Sequence, residues 1–132
     1  MSKFIVIVVN DILFWIEENL HRPLTASEIA KKSGFSEFYF QHCFKELCGI
    51  SLATYLRMRK MTVAGNLLKQ STLAISEIGL LVGFDEISSF NRAFRRHYGT
   101  SPGKYRIHWE HYVKKEVYPV RGLVEKNEIL LN

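Results

Sequence analysis

The amino-acid sequence predicts an all-α fold in which two small helical lobes are joined by a long connecting helix. Three observations lead there. The stretch EIAKKSGFSEFYFQHCFKELCGIS, residues 28–51, recurs as EIGLLVGFDEISSFNRAFRRHYGTS, residues 77–101. Each copy sets a glycine, Gly34 or Gly83, between two runs of helical apolar periodicity. Between the copies, apolar residues continue at helical spacing from Leu52 to Leu68.

The elements follow in order. Ile5, Val9, Ile12, Ile16 and Leu20 form the stripe of a first helix, although the β-branched Ile5–Val9 stretch also fits a short strand. Thr25-x-x-Glu28 is a capping box, so a helix starts there and runs to about Ser33. Gly34 supplies the left-handed geometry of a tight corner, and Ser36 can cap the next helix, which buries Phe40, Phe44 and Leu47. Ser51 can cap a connecting helix from about Leu52 to Lys69, roughly 27 Å long at 1.5 Å per residue. Gly65 should weaken that helix only mildly. In the second copy Gly83 makes the corner, Asp85 can cap, and Phe90 and Phe94 face inward. Gly79 stands where the first copy has Ala30. It lets two helices approach closely, at roughly 1 kcal/mol of helix propensity relative to Ala. The offset between copies is 49 up to the glycine corner and 50 after it, through Gly99, Ser101 and Tyr105, so the second copy holds one inserted residue. The predicted organisation is an N-terminal subdomain over residues 1–50, a connecting helix over 51–70 and a C-terminal subdomain over 71–108. A tail follows over 109–132, where Val113, Val117, Val120 and Leu123 form an amphipathic stretch.

Composition narrows the class. With 132 residues and 47% hydrophobic content the chain can build a core, which excludes wholesale disorder. Cys43 and Cys48 make no disulfide framework, so a reducing, cytoplasmic setting is expected. No apolar run reaches the roughly 18 residues of a membrane helix, and the Phe4–Val9 run is too short for a signal peptide. The net charge of +5 is localised: residues 1–35 hold 4 basic and 4 acidic side chains, residues 36–108 hold 10 and 5, and residues 109–132 hold 4 and 4. A basic excess confined to the repeats fits a polyanion partner, and also fits an ordinary basic surface.

Helix, glycine turn, helix is the layout of the helix-turn-helix motif, whose second helix enters the DNA major groove. On the first such helix Phe38, Gln41, His42 and Lys45 point outward, and on the second Ile87, Ser88, Asn91, Arg92 and Arg95. Arg92 can grip guanine, Gln41 or Asn91 can pair with adenine, and Phe38 and Ile87 can meet thymine methyl groups. The expected base-reading set is therefore Phe38, Gln41, His42, Ile87, Ser88, Asn91 and Arg92. The expected phosphate set is Ser36, Lys45, Arg95, Arg96, Lys104 and Arg106. Blander readings stand beside these. Arg92 and Arg95 also fit a solvated face, Phe38 a staple on its own helix, Tyr39 the core edge and His42 a plain surface histidine. Arg57, Arg59 and Lys60 on the connecting helix suit intramolecular pairing or solvent better than phosphate. Two linked reading helices can occupy successive groove segments, about 34 Å apart, on one face of DNA. That geometry predicts a monomer on an asymmetric site of roughly two turns.

The run from Ile12 to Arg106 resembles the AraC-family DNA-binding domain. GFSEFYFQHCFKELCGIS and GFDEISSFNRAFRRHYGTSPGKYR carry the resemblance, the latter ending in Pro102-x-x-Tyr105-Arg106. WIEENL at 15–20 and YLRMRKM at 55–61 are similar to the single-domain MarA/SoxS/Rob subgroup. The resemblance implies seven helices, two helix-turn-helix units on a long helix, and a bacterial, nucleoid-associated activator. It further implies monomeric binding to double-stranded DNA, recruitment of RNA polymerase, and roles in stress response and antibiotic resistance. No cofactor and no membrane partner are expected. The subgroup's base-contacting tryptophan, glutamine and arginine on the first reading helix fall on Phe38, Gln41 and His42. Its paired glutamines on the second fall on Ile87 and Ser88, and its arginine on Arg92.

Two rival classes remain. His108-x-x-His111 beside Glu110 superficially suggests a metal site of an enzyme, but it is not HExxH, and no nucleophile–base motif or phosphate loop accompanies it. A protein-binding module that keeps the fold but has lost DNA reading is the other, favoured by the departures at Phe38, His42, Ile87 and Ser88.

Overall fold

The backbone groups left unpaired at helix starts are met here mostly by hydroxyls, and the serines and threonine that do so mark out the elements. A computed structural model describes residues 2–111 of the chain. All regular structure among these residues is helical: α1 (Lys3–Glu18), α2 (Ala26–Ser33), α3 (Glu37–Cys48), α4 (Leu52–Gln70), α5 (Ile75–Leu81), α6 (Ile87–Tyr98) and α7 (Pro102–His108), then a 3₁₀ turn, Trp109–His111. Ser2, Thr25, Ser36 and Ser101 cap α1, α2, α3 and α7, each accepting from the backbone N–H three residues on. Ser51 does the same for α4, accepting from Thr54 N at 3.2 Å.

The expected cap at Asp85 is corrected by the structure. Helix α6 has Glu86 at its cap position, with no side-chain capping bond. Once the offset of 50 applies, Glu86 and not Asp85 is the counterpart of Ser36. The strand alternative for residues 5–9 is likewise overturned. Ile5, Val6 and Val9 are buried helical residues of α1, which packs on α2 and α3, and tertiary burial outweighs their β-branching. Leu20 is buried as expected but lies beyond the end of α1, whose cap residue is Asn19.

The described residues divide into two compact units, one from 2–19 and 24–56, the other from 20–23 and 57–111. Helix α4 contributes residues 52–56 to the first and 57–70 to the second.

In the first unit, α2 packs on α3 and both pack on α1. Aliphatic side chains such as Val9 and Ile16 line this core, but its centre is aromatic. Phe40 and Phe44 are fully buried, and the Phe44 ring meets Tyr55 edge-on at 5.7 Å. The Tyr55 hydroxyl donates to Glu17 Oε2 at 3.0 Å, so the buried phenol keeps a partner.

The second unit repeats the device. Its core joins Met61, Ala64 and Leu68 of α4 to Ile78, Val82, Phe90, Phe94, Tyr98 and Tyr105. Phe94 meets Tyr105 edge-on at 5.3 Å, the counterpart of Phe44 and Tyr55. Tyr98 has no such counterpart: position 48 is a cysteine. The Tyr98 hydroxyl donates to the Met61 carbonyl at 3.1 Å, and it does so through space that Gly65 leaves open. A Cβ on residue 65 would lie 2.5 Å from the Tyr98 oxygen and 3.3 Å from that of Tyr105. Gly65 is thus a packing requirement, not only a weak point of the helix. Gly79 meets its expectation, since a Cβ there would press on the Phe90 ring at 3.2 Å.

Residues 20–23 close one side of this unit. Gly83 has φ 92°, and a Cβ on it would stand 2.8–2.9 Å from the carbonyl carbon and oxygen of Arg22. Lys60 Nζ donates to the same carbonyl oxygen at 3.3 Å. Burial, and after it the charge of Arg22, hold the Lys60 ammonium below its usual pKa.

Candidate nucleic-acid interface

Each unit presents one helix whose buried face is fixed by the aromatic core and whose opposite face is open. On α3, Phe40, Cys43 and Phe44 are buried, while Phe38, His42 and Lys45 are exposed. On α6, Phe90, Phe94 and Tyr98 are buried, while Ile87, Ser88, Arg92, Arg95 and Arg96 are exposed. Gln41 and Asn91 are half-buried at the edge of these faces.

Both open faces border a shallow cleft. The first, about 610 Å³, is lined by Glu37, Phe38, Gln41, His42, Lys45, Ser51 and Leu52. The second, about 600 Å³, is lined by Ile75, Ser76, Ile87, Ser88, Asn91, Arg92, Arg95, Ser101, Pro102 and Gly103. Adding 50 to each of the first cleft's seven residue numbers gives a residue of the second. The repeat in the sequence is therefore a repeat of the concave surface, not only of the scaffold.

The chemistry of the two clefts differs. In the first, Phe38 is 85% exposed. Gln41 Nε2 donates to Glu37 Oε1 at 3.1 Å, and the lining carries one carboxylate and one ammonium, Glu37 and Lys45. The second lining holds two guanidiniums, Arg92 and Arg95, and no carboxylate. An Arg92 terminal nitrogen donates to Ser89 Oγ at 3.4 Å, one turn back on the same helix.

Of the expected base-reading residues, all seven line a cleft: Phe38, Gln41 and His42 the first, Ile87, Ser88, Asn91 and Arg92 the second. Of the expected phosphate residues, Lys45 and Arg95 line the clefts, and Ser36, Arg96 and Lys104 are exposed nearby in sequence. Arg106 is different and leaves the phosphate set. Its guanidinium donates to the carbonyls of Leu68 (3.2 Å), Ser71 (3.4 Å) and Leu73 (2.6 Å), where α4 ends. Those carbonyls lack helical partners, and a cation there also suits the helix dipole. Tyr39 packs at a tilt on Phe35, ring centroids 5.3 Å apart, on the core edge as its blander reading expects. The helix starts at Ser51–Leu52 and Ser101–Gly103 bound the clefts and are missing from the expected set. The shared Gly-x-Ser at 49–51 and 99–101 is the signal that could have found them.

The rival metal reading gains no support from geometry. The His108 and His111 rings are exposed and 6.3 Å apart, and among the described residues no three His, Cys, Asp or Glu side chains gather as a metal site. No helix among them is long and apolar enough to cross a membrane. The expected amphipathic stretch from Val113 to Leu123 lies outside the described residues.

A family model described as a helix-turn-helix domain matches residues 29–107, which span both clefts. The chain belongs to the AraC-type helix-turn-helix family. That family consists of DNA-binding transcription regulators, not enzymes. Among its members, the transposon Tn10 TetD protein of Escherichia coli is 38% identical over 110 residues, covering 82% of this chain and 80% of that one. The multiple antibiotic resistance protein MarA of Salmonella typhimurium is 35% identical over 114 residues, covering 86% and 90%. The AraC-type fold is shared with the C-terminal domain of AraT, a response regulator from Geobacillus stearothermophilus (TM-score 0.73, 31% identity, 75% and 83% covered). It is shared too with the DNA-binding domain of AdpA, solved in complex with a target DNA (TM-score 0.73, 25% identity, 78% and 93% covered).

Proposed function

We propose that this AraC-type regulator activates transcription by placing α3 and α6 in successive major-groove segments of one duplex, as a monomer, and by recruiting RNA polymerase. The observation that carries the reading is the pair of matched clefts, each walled by one of those helices. Phe38, Gln41 and His42 read one half-site, and Ile87, Ser88, Asn91 and Arg92 the other. Ser36, Lys45, Arg95, Arg96 and Lys104 meet phosphates. The two reading subdomains are the unit of residues 2–19 and 24–56 and the unit of residues 20–23 and 57–111, with α4 running from one to the other. The likeness to MarA supports promoters of stress response and antibiotic resistance, in the bacterial cytoplasm and at the nucleoid.

The test is selection of duplexes from a random pool followed by footprinting of the winner. The expected site is asymmetric and spans about two helical turns. A palindrome occupied by two chains, or protection of a single half-site, overturns the reading. On the selected site Arg92→Ala should cost about 1–3 kcal/mol, and affinity should fall steeply with salt.

A further inference from the structure

The first cleft holds a charge balance that the second does not. Its lining carries Glu37 and Lys45, which cancel, and the imidazole of His42. The second lining carries two guanidiniums, Arg92 and Arg95, and no histidine or carboxylate. His42 is exposed on the open face of α3, between Phe38 one turn before it and Lys45 and Glu46 one turn after. Across the cleft, Ser51 and Leu52 at the start of α4 bear no titratable side chain, and no residue of α1 or α2 contributes to the lining. Glu37 is engaged by Gln41 and lies at the mouth of the same cleft.

DNA brings a dense row of phosphates to whichever cleft it enters. The second cleft meets it with two fixed positive charges. The first meets it with none in balance while His42 is neutral, and with one when His42 is protonated. Resting on the reading of α3 as a base-reading helix, we infer that the first half-site is engaged with uptake of one proton by His42. Acidification then tightens binding at the first half-site and leaves the second indifferent. The polyanion stabilises the imidazolium in the complex more than in the free protein, and linkage turns that difference into a pH-dependent affinity. Both ring nitrogens of the imidazolium donate, so the protonated ring can serve a phosphate oxygen or the acceptor edge of guanine.

The experiment is duplex affinity measured between about pH 8 and about pH 5.5 on the selected site, and on a variant with the first half-site scrambled. The expected wild-type result is binding about three- to tenfold tighter at the acid end, with a slope of no more than about one proton, on the intact site only. His42→Gln should bind with no pH dependence, at the weak alkaline level. His42→Lys should bind with none either, at the tight acid level. Calorimetry of the wild-type complex in two buffers of different ionisation enthalpy should report the proton directly. A flat wild-type profile on a site that is specifically read overturns the inference and leaves the DNA-reading function standing, as does a pH response retained by His42→Gln. Failure to select any specific duplex at any pH removes the function and the inference together.

Discussion

Replacing Gly65 by alanine separates two accounts of the same residue. Helix propensity alone says that Gly65→Ala stabilises α4 by about 1 kcal/mol. The structure says that the new methyl lands 2.5 Å from the Tyr98 hydroxyl oxygen and 3.2 Å from its ring carbon. The phenol is buried and bonded to the Met61 carbonyl, and Phe94 and Tyr105 hold its ring at centroid distances of 4.5 Å each. It has no free direction in which to retreat. Overpacking of this kind costs about 1–3 kcal/mol, and loss of the buried hydrogen bond about 1–3 kcal/mol more. Set against the propensity gain, the net is a loss of about 1–5 kcal/mol, with each kcal/mol worth roughly 4–8 °C in Tm for a unit of this size. Thermal and urea denaturation followed by circular dichroism measure it. Tyr98→Phe removes the oxygen that the methyl strikes, so the double variant Gly65→Ala/Tyr98→Phe should be more stable than Gly65→Ala alone, a coupling of at least about 1 kcal/mol. A stabilised Gly65→Ala protein, or additive effects in the cycle, refutes the packing argument.

Other outcomes are expected. Arg106→Ala should cost about 2 kcal/mol of stability by orphaning carbonyls at the end of α4, with Arg106→Lys recovering only part, because one ammonium cannot reach all three. Its salt dependence on DNA should match the wild type, whereas Arg95→Ala should lower the slope by about one. Glu86→Ser supplies the capping hydroxyl that α6 lacks and should raise stability by about 0.5–1 kcal/mol, read as Tm. Burial pushes the Cys48 thiol up to about 11, so alkylation followed by mass spectrometry should be slow at neutral pH and should accelerate as pH rises toward that value.

How much of this is legible in the sequence depends on how far a residue's meaning reaches along the chain. The corners at Gly34 and Gly83, the serine caps and the aromatic trio of each copy are local or repeated signals, and the repeat alone locates both clefts through one constant offset. Gly65 reads wrongly as a mere weak point because its reason lies 33 residues away in Tyr98, at a core position where the first copy has a cysteine. Arg106 reads wrongly as a phosphate ligand because an arginine that holds backbone carbonyls and one that grips phosphate use the same donors, and only the position of the Leu68, Ser71 and Leu73 carbonyls separates them. Asp85 is one residue early as a cap: the inserted residue is visible in the repeat, and its consequence is that Glu86 takes the place of Ser36.

Residues 20–23 stand in the chain between α1 and α2 but belong to the second unit, beside Lys60 and Gly83. The two copies of the repeat are therefore not separable cassettes. Arg22 is synthesised about sixty residues before Gly83, so this short segment has none of its second-unit neighbours to pack on until α4 and the second copy follow. A fragment that starts within α4 would lack one wall of the unit it was meant to contain. Chimaeras that exchange one reading half for a relative's should move residues 20–23 together with the second half, not the first.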